Sequence, residues 1–269
     1  MSAKLILVLC LLTVPAHSQF LGFDRNQYPG DAALPTLRRT FAFAGYWLNP
    51  PPGETGNTWT GKRGVIESAG FGFLLLYNGR LDRELKNPAH ARDLGNADAQ
   101  AAITAARREG FPANAIIFLD QEEGGRMLPE QKAYIYTWVD AVNAAGFRAG
   151  IYCSGIAARE SPKVSIVTAD DVRQNAGGRA VVYFVTNDAC PPSPGCSLAQ
   201  PPAPSASGLA YADLWQFAQS PRRRDFAAGC SNYNRDGNCY PPGIAASEKL
   251  HVDVETASSA DPSHARSHP

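Results

Sequence analysis

The sequence predicts an α/β chain folded as a single (β/α)8 TIM-type barrel, and three observations carry that expectation. Eight short apolar runs are spread along the chain, helix-like segments separate most of them, and three of the junctions repeat one pattern. The runs are continuous rather than alternating, as in strands covered on both faces of a parallel sheet. Eight strands with intervening helices in about 235 residues have the size and rhythm of such a barrel. A doubly wound open sheet is the alternative arrangement of the same elements.

The chain opens with "MSAKLILVLCLLTVPAHS", which has Lys4, an apolar stretch from Leu5 to Val14 and a small-x-small end at Ala16 and Ser18. This is the pattern of a secretory signal cut before Gln19, and the stretch is too short to span a bilayer. Residues 1–18 are therefore expected to be removed, leaving a secreted, soluble chain with no membrane span. Residues 19–257 would form the barrel, and 258–269, which lack an apolar pattern, a disordered tail.

The strand runs are 20–24, 41–48, 71–77, 115–120, 149–154, 180–186, 213–218 and 250–255. In "SAGFGFLLLY", "REGFPANAIIFLD" and "AAGFRAGIYCSG" a helix-like segment stops at a glycine (Gly70, Gly110, Gly146) and a strand follows within a few residues. Glycine enters the left-handed conformation of a helix C-terminus without a Cβ clash. Between Glu130 and Ala145, Ile135, Trp138, Val139 and Val142 form one helical stripe. Asn96 is read as the cap of another helix, with Ala102, Ile103 and Ala106 facing inward.

Two long loops, after strands 6 and 7, replace the expected helices. Cys190 and Cys196 bracket "PPSPG", and Cys230 and Cys239 bracket "SNYNRDGN", so each pair is expected to clip its own loop in an oxidising compartment. Cys153, on the fifth strand, reads as a buried, inert thiol.

With 25 Lys and Arg against 25 Asp and Glu, the formal charge is zero, and no global field draws the chain to nucleic acid or a membrane. No cofactor motif is present. "NYNRDG" matches the first half of a calcium loop, but its twelfth position falls on Gly243, so the bidentate acid is missing and no metal is assigned. "RRR" at 222–224 reads as a solvated loop.

Barrel enzymes place their chemistry where strands end at the mouth. There the first strand carries Asp24, the fourth Asp120 and Glu122, and the eighth Asp253 and Glu255. Asp120 and Glu122 are two apart, the spacing that puts both on one face of a strand. Closure makes the first and eighth strands neighbours, so acids far apart in sequence should meet. Tyr46, Tyr77, Tyr152 and Trp215 with Gln216 fall at the same level and are expected to bind substrate. Flat rings, amides and carboxylates together suit a carbohydrate. Glu123 reads as a solvated or capping acid.

These residues also carry a resemblance. "FLDQE", "GIYCS", "LWQF", "HVDVE" and the opening "GFDRNQYPG" resemble strand motifs of the lysozyme-type muramidases of glycoside hydrolase family 25. The pattern over residues 21–257 is closer still to a related set of exported bacterial proteins described as glycoside-hydrolase-like. The resemblance implies a secreted, monomeric hydrolase of peptidoglycan or a related amino-sugar polymer. Glu122 would be its general acid, Asp120 would orient the substrate acetamide, and Asp24 and Asp253 would hold sugar hydroxyls. A catalytically silent glycan-binding barrel with a cell-surface role is the alternative.

Overall fold

A computed structural model describes residues 19–267 of the chain. The expected secretory signal, residues 1–18, lies outside the described residues. Eight strands close a barrel in the spatial order β1 (Phe20–Asp24), β10 (Asp253–Ala257), β9 (Leu214–Ala218), β8 (Val182–Thr186), β5 (Arg148–Ser154), β4 (Ile116–Asp120), β3 (Gly72–Asn78) and β2 (Phe43–Trp47). A hairpin of β6 (Ala157–Ser161) and β7 (Val164–Val167) stands apart from it. Each predicted apolar run supplies one barrel strand.

The barrel is mixed rather than wholly parallel, because β10 runs antiparallel to both of its neighbours, β1 and β9. The reason lies in the connection before it. A parallel return needs a crossover that carries the chain back to the opposite end, usually a helix. Between β9 and β10 the structure has only short 3-10 turns, so the chain stays at the mouth and enters β10 from there.

Helices cover the side where the sequence has helical periodicity. They are α1 (Leu34–Leu37), α2 (Arg63–Ser68), α3 (Asp82–Leu85), α4 (Pro88–Arg108), α5 (Pro129–Ala144) and α6 (Thr168–Asn175). The predicted stripe of α5, Ile135, Trp138, Val139 and Val142, is fully buried. In α4, Ala102, Ile103 and Ala106 face inward as expected, but Asn96 is not a cap. The helix starts earlier, where the Asn87 side chain accepts from the backbone N–H groups of Ala89 and His90 and Pro88 occupies the first turn. Gly70, Gly110 and Gly146 all take positive φ just beyond helix ends. Among the described residues no helix is long and apolar enough to cross a membrane.

Inside the lower barrel, large side chains lie over glycines on adjacent strands. A Cβ on Gly22 would lie 1.9 Å from the Phe43 ring, and one on Gly150 2.2 Å from the Phe118 ring. Each buried ring contributes about 1.5–3 kcal/mol through removal of apolar surface from water. This layer forms a solid base beneath the mouth.

The expected disordered tail is instead ordered through Ser267 and closes the barrel from below. Pairing between β3 and β4 begins only at Leu75 and Ile117, and beneath it the tail supplies the missing partners. The Phe73 N–H donates to Asp261 Oδ1, the Leu75 N–H to Ser263 Oγ and the Ile116 N–H to the Ser263 carbonyl, each at 2.8 Å. Ser263 and Ala265 are wholly buried. Backbone hydrogen bonds rather than an apolar pattern hold this segment, which is why periodicity does not reveal it.

The four loop cysteines are paired, but not loop by loop. The bridges are Cys190–Cys230 and Cys196–Cys239, and both cross from the loop after β8 to the loop after β9. Because β8 and β9 are hydrogen-bonded neighbours, their loops leave the same rim side by side. Cys153 is free and buried, and burial pushes its thiol up to about 12.

Candidate active site

The mouth of the barrel opens into a cavity of about 750 Å³, and Asp24, Asp120, Glu122 and Asp253 all line it. Asp24 ends β1 and is paired in register with Asp253, the first residue of β10. Asp253 therefore reaches the mouth because its strand is reversed, and Glu255 falls one layer lower, opposite Gly22 and fully buried. Asp120 ends β4 beside Tyr152 of β5. Glu122 follows at the lip, with part of the residue exposed and its carboxyl among the groups that line the cavity. Gly45 makes room for this arrangement: a Cβ there would lie 2.3 Å from Cβ of Asp24.

Gln216 ties the cluster together. Its Nε2 donates to Asp24 Oδ2 at 3.2 Å and reaches Asp253 Oδ2 at 3.5 Å, while its Oε1 accepts from the Tyr152 hydroxyl at 2.7 Å and from Gln219 Nε2 at 3.2 Å. Asp253 also accepts the Ser220 N–H at 2.6 Å. The Tyr152 ring packs on Phe184, with centroids 4.8 Å apart.

Two carboxyl pairs lie close together within the cluster, Asp120 with Glu122 and Asp24 with Glu255. In the first pair burial raises Asp120 well above the usual carboxylate range, and the negative charges of Glu122 and Asp24 add to the effect. Desolvation raises Glu122 too, but its hydrogen bond from Asp120 and the charge of Arg223 act the other way. In the second pair Glu255 is raised by burial and then by Asp24, and burial holds the Asp24 carboxyl at about 6. Asp253 is raised by burial and by Asp24.

Of the predicted substrate-binding residues, Tyr77, Tyr152 and Gln216 line the cavity, whereas Tyr46 and Trp215 do not. Neighbouring residues on a strand point to opposite faces. Trp47 and Gln216 face the cavity, so Tyr46 and Trp215 face out. Tyr46 is fully buried beneath the helical layer, against Trp59, Phe73 and Phe111, and donates to Glu109 Oε2 at 2.6 Å. Trp215 is also fully buried, its indole N–H donating to the Asn187 carbonyl at 2.9 Å. Tyr77 sits on a side arm of the cavity, where its hydroxyl meets Asp98.

Sequence reasoning missed several groups at the mouth. Trp47 lines the cavity, with its side chain close to the Asp24 carboxyl; strict alternation selects it over Tyr46. Asn78 and Gln219 line the cavity as well. Arg223, within the "RRR" read as solvated, instead forms an ion pair with buried Asp188. No local pattern marks that pair, whose partners are 35 residues apart. Among the described residues no group of His, Cys, Asp or Glu is arranged to hold a metal ion.

Residues 57–168, which include Asp120, Glu122 and Tyr152 but not Asp24 or Asp253, match the family model described as Rv2525c-like, glycoside hydrolase-like domain. No curated protein matches the chain. Among solved structures, an uncharacterized B. stearothermophilus protein is 22% identical, with 88% of this chain and 94% of that chain covered and a TM-score of 0.55. The Mycobacterium tuberculosis Tat-secreted protein Rv2525c, in complex with L-tartrate, is 12% identical over 89% of this chain and 95% of its own, with a TM-score of 0.50. These two likenesses show a shared fold. The catalytic domain of endolysin ply40, from bacteriophage P40 of Listeria monocytogenes, is 15% identical over 91% of this chain and 95% of its own, at a TM-score of 0.48. The resemblance carried by the strand motifs is thus matched by a family description of the same kind.

Proposed function

We propose that this glycoside-hydrolase-like barrel is an exported glycosidase acting on peptidoglycan or a related amino-sugar polymer, with Glu122 as its general acid. The observation that carries this reading is the gathering of Asp24, Asp120, Glu122 and Asp253 along one open cavity, with Glu122 two residues beyond Asp120 at the end of β4. Two disulfides between exposed loops fit an oxidising compartment and support export.

Burial raises both Asp120 and Glu122, so in this reading the pair carries a proton in the free protein. A sugar bound across the mouth displaces water from Glu122 and offers its glycosidic oxygen as a new partner, which moves the proton to Glu122. Glu122 then protonates the leaving oxygen as the bond to the anomeric carbon breaks. Asp120, left ionised, accepts the N–H of the substrate's acetamide and turns its carbonyl oxygen toward the anomeric carbon. In such substrate-assisted attack, a recognised exception to the two-carboxylate scheme, the acetamide oxygen bonds the anomeric carbon as the leaving oxygen departs. Water then opens the resulting ring at that carbon while the ionised Glu122 takes the water's proton, leaving a new reducing end and a regenerated acid. Asp24 and Asp253, braced by Gln216, hold sugar hydroxyls, and the Tyr152 and Trp47 rings cover the sugar's C–H face.

Incubation with purified peptidoglycan and with chitin, followed by mass spectrometry of the soluble fraction, tests the reading. Soluble fragments bearing new reducing ends are expected. Polymer that pellets with the protein yet yields no fragment would replace the hydrolase by a glycan-binding barrel.

A further inference from the structure

The cavity does not end at the acids. From Asp120 and Glu122 it continues over the loops that follow β2 and β3, where residues within 49–54 and 79–84 supply its wall. An asparagine pair joins these two segments: the Asn78 N–H donates to Asn49 Oδ1 at 2.8 Å, and Asn49 Nδ2 donates to the Asn78 carbonyl at 3.0 Å. Two further bonds stitch the β3 loop to the loop that carries Glu122. The Gly79 N–H donates to the Asp120 carbonyl at 3.2 Å, so close that a Cβ on Gly79 would lie 2.4 Å from that oxygen. The Asp82 N–H donates to Glu123 Oε2 at 2.8 Å, and Glu123 also accepts Gln131 Nε2 of α5 at 2.8 Å. Glu122 therefore stands between two tethered residues of one loop, and Arg80 between two tethered residues of the other. Both side chains line the same cavity.

Arg80 is braced from behind. Its Nε and Nη2 donate to the two oxygens of Asp98 at 2.8 and 2.9 Å, and Asp98, on α4 and buried, also accepts the Tyr134 hydroxyl of α5 at 2.8 Å. Arg80 Nη1 reaches Glu84 Oε1 at 3.5 Å. A guanidinium carries five N–H donors in a rigid plane, so the fork on Asp98 leaves donors of Nη1 and Nη2 unspent. Arg83, on α3, lines the same wall and is exposed.

The charges of this arm cancel rather than accumulate. Asp98 and Glu84 offset Arg80, Glu54 shares the wall with Arg83, and the cluster beyond holds acids alone. A carboxylate or phosphate entering here meets no excess of positive charge. An uncharged sugar, by contrast, accepts from arginine N–H groups through its hydroxyl and acetamide oxygens. Pro50 and Leu81, in the same wall, suit its C–H face.

We infer that this arm is a second sugar subsite: Arg80, braced by Asp98, and Arg83 hold the uncharged N-acetylated sugar that adjoins the bond presented to Glu122. The polymer then lies from the acids toward the β2 and β3 loops, and binding of a unit that does not react orients the one that does. The identity of the ligand rests on the hydrolase reading, whereas the subsite itself requires only binding.

Isothermal titration calorimetry with an N-acetylglucosamine tetrasaccharide tests the subsite, in the Glu122→Gln background so that the ligand is not consumed. Arg83→Ala is expected to weaken binding roughly three- to tenfold, the effect of one or two lost hydrogen bonds. Arg80→Lys keeps a charge beside Asp98 but gives up the planar fork, and should weaken binding at least as much. If that variant fails to fold, Arg80→Gln/Asp98→Asn leaves no unpaired buried charge and should show the same loss. Arg224→Ala, on the loop after β9 and outside the cavity wall, should leave the affinity unchanged. Folded Arg80 and Arg83 variants that bind as tightly as the Glu122→Gln protein, a loss of the same size from Arg224→Ala, or a tetrasaccharide that does not bind at all, overturns the subsite. Peptidoglycan separates the two claims. Weaker tetrasaccharide binding by the arm variants, in a protein that releases no sugar, supports the subsite and removes the hydrolase reading. Reducing ends released from limiting polymer at the parent rate by Arg80 and Arg83 variants overturn the subsite and leave the hydrolase reading in place.

Discussion

Asp24 and Asp253 stand directly opposite each other across the antiparallel β1–β10 pair. The reversal of β10 brings a residue from the start of one strand to the same rim as a residue from the end of another. It also sends Glu255 inward beneath Asp24, where it is fully buried. The acids thus occupy two layers, an upper one open to the cavity and a lower one sealed from solvent.

That arrangement costs stability in a pH-dependent way. The folded-state value of Asp24, about 6, lies above its ordinary 3.8, so the folded protein binds more protons than the unfolded chain. Its contribution is complete below the unfolded value and is lost as pH rises through the folded one. Asp24→Asn should therefore raise the melting temperature at pH 7.5, by on the order of 1–3 kcal/mol of stability, and give no gain near pH 3. Thermal melts at the two pH values check the sign.

The two neighbours on β2 should separate cleanly. Tyr46→Phe removes a hydroxyl bonded to Glu109 behind the barrel wall and should cost about 1 kcal/mol of stability. Polymer affinity should stay unchanged. Trp47→Phe removes an indole N–H and ring area from the cavity wall, and should weaken glycan binding by roughly three- to tenfold at about 1 kcal/mol. Pelleting assays beside thermal melts distinguish the two.

Non-reducing proteolysis with mass spectrometry should recover peptides joining Cys190 to Cys230 and Cys196 to Cys239, and none joining Cys190 to Cys196. Each bridge spans about forty residues, 40 and 43 by sequence separation. In the chain-entropy model a loop of that length is worth ~4 kcal/mol. Replacing both cysteines of one bridge by Ser should lower the denaturant midpoint accordingly.

Removing residues 258–269 should lower stability strongly, because the N–H groups of Phe73, Leu75 and Ile116 lose their acceptors together. Ser263→Ala is the milder probe. It strands the buried Leu75 N–H and should cost about 1–3 kcal/mol by thermal melt.

How much of this was legible in the sequence depends on what each feature rests on. All eight barrel strands appear as apolar runs, since burial on both faces is written into composition. The direction of β10 does not appear, because "LHVDVE" reads alike whichever way it enters the sheet; only the lack of a helix between Gln219 and Lys249 hinted at it. Asp24, Asp120, Glu122 and Asp253 come together at the mouth as expected. Tyr46 and Trp215 were placed on the wrong face although period-two alternation already favoured Trp47 and Gln216. The disulfide pairing, the ordered tail and the Asp188–Arg223 pair depend on contacts between distant segments, which no local pattern encodes.

The most direct test compares release of reducing sugar from purified peptidoglycan by the parent protein and by Glu122→Gln, with binding followed in parallel. The account predicts a loss of roughly a hundredfold or more in rate, with the variant still folded and still pelleting with the polymer. Equal rates from both proteins, or a parent that binds peptidoglycan and releases nothing, would contradict it.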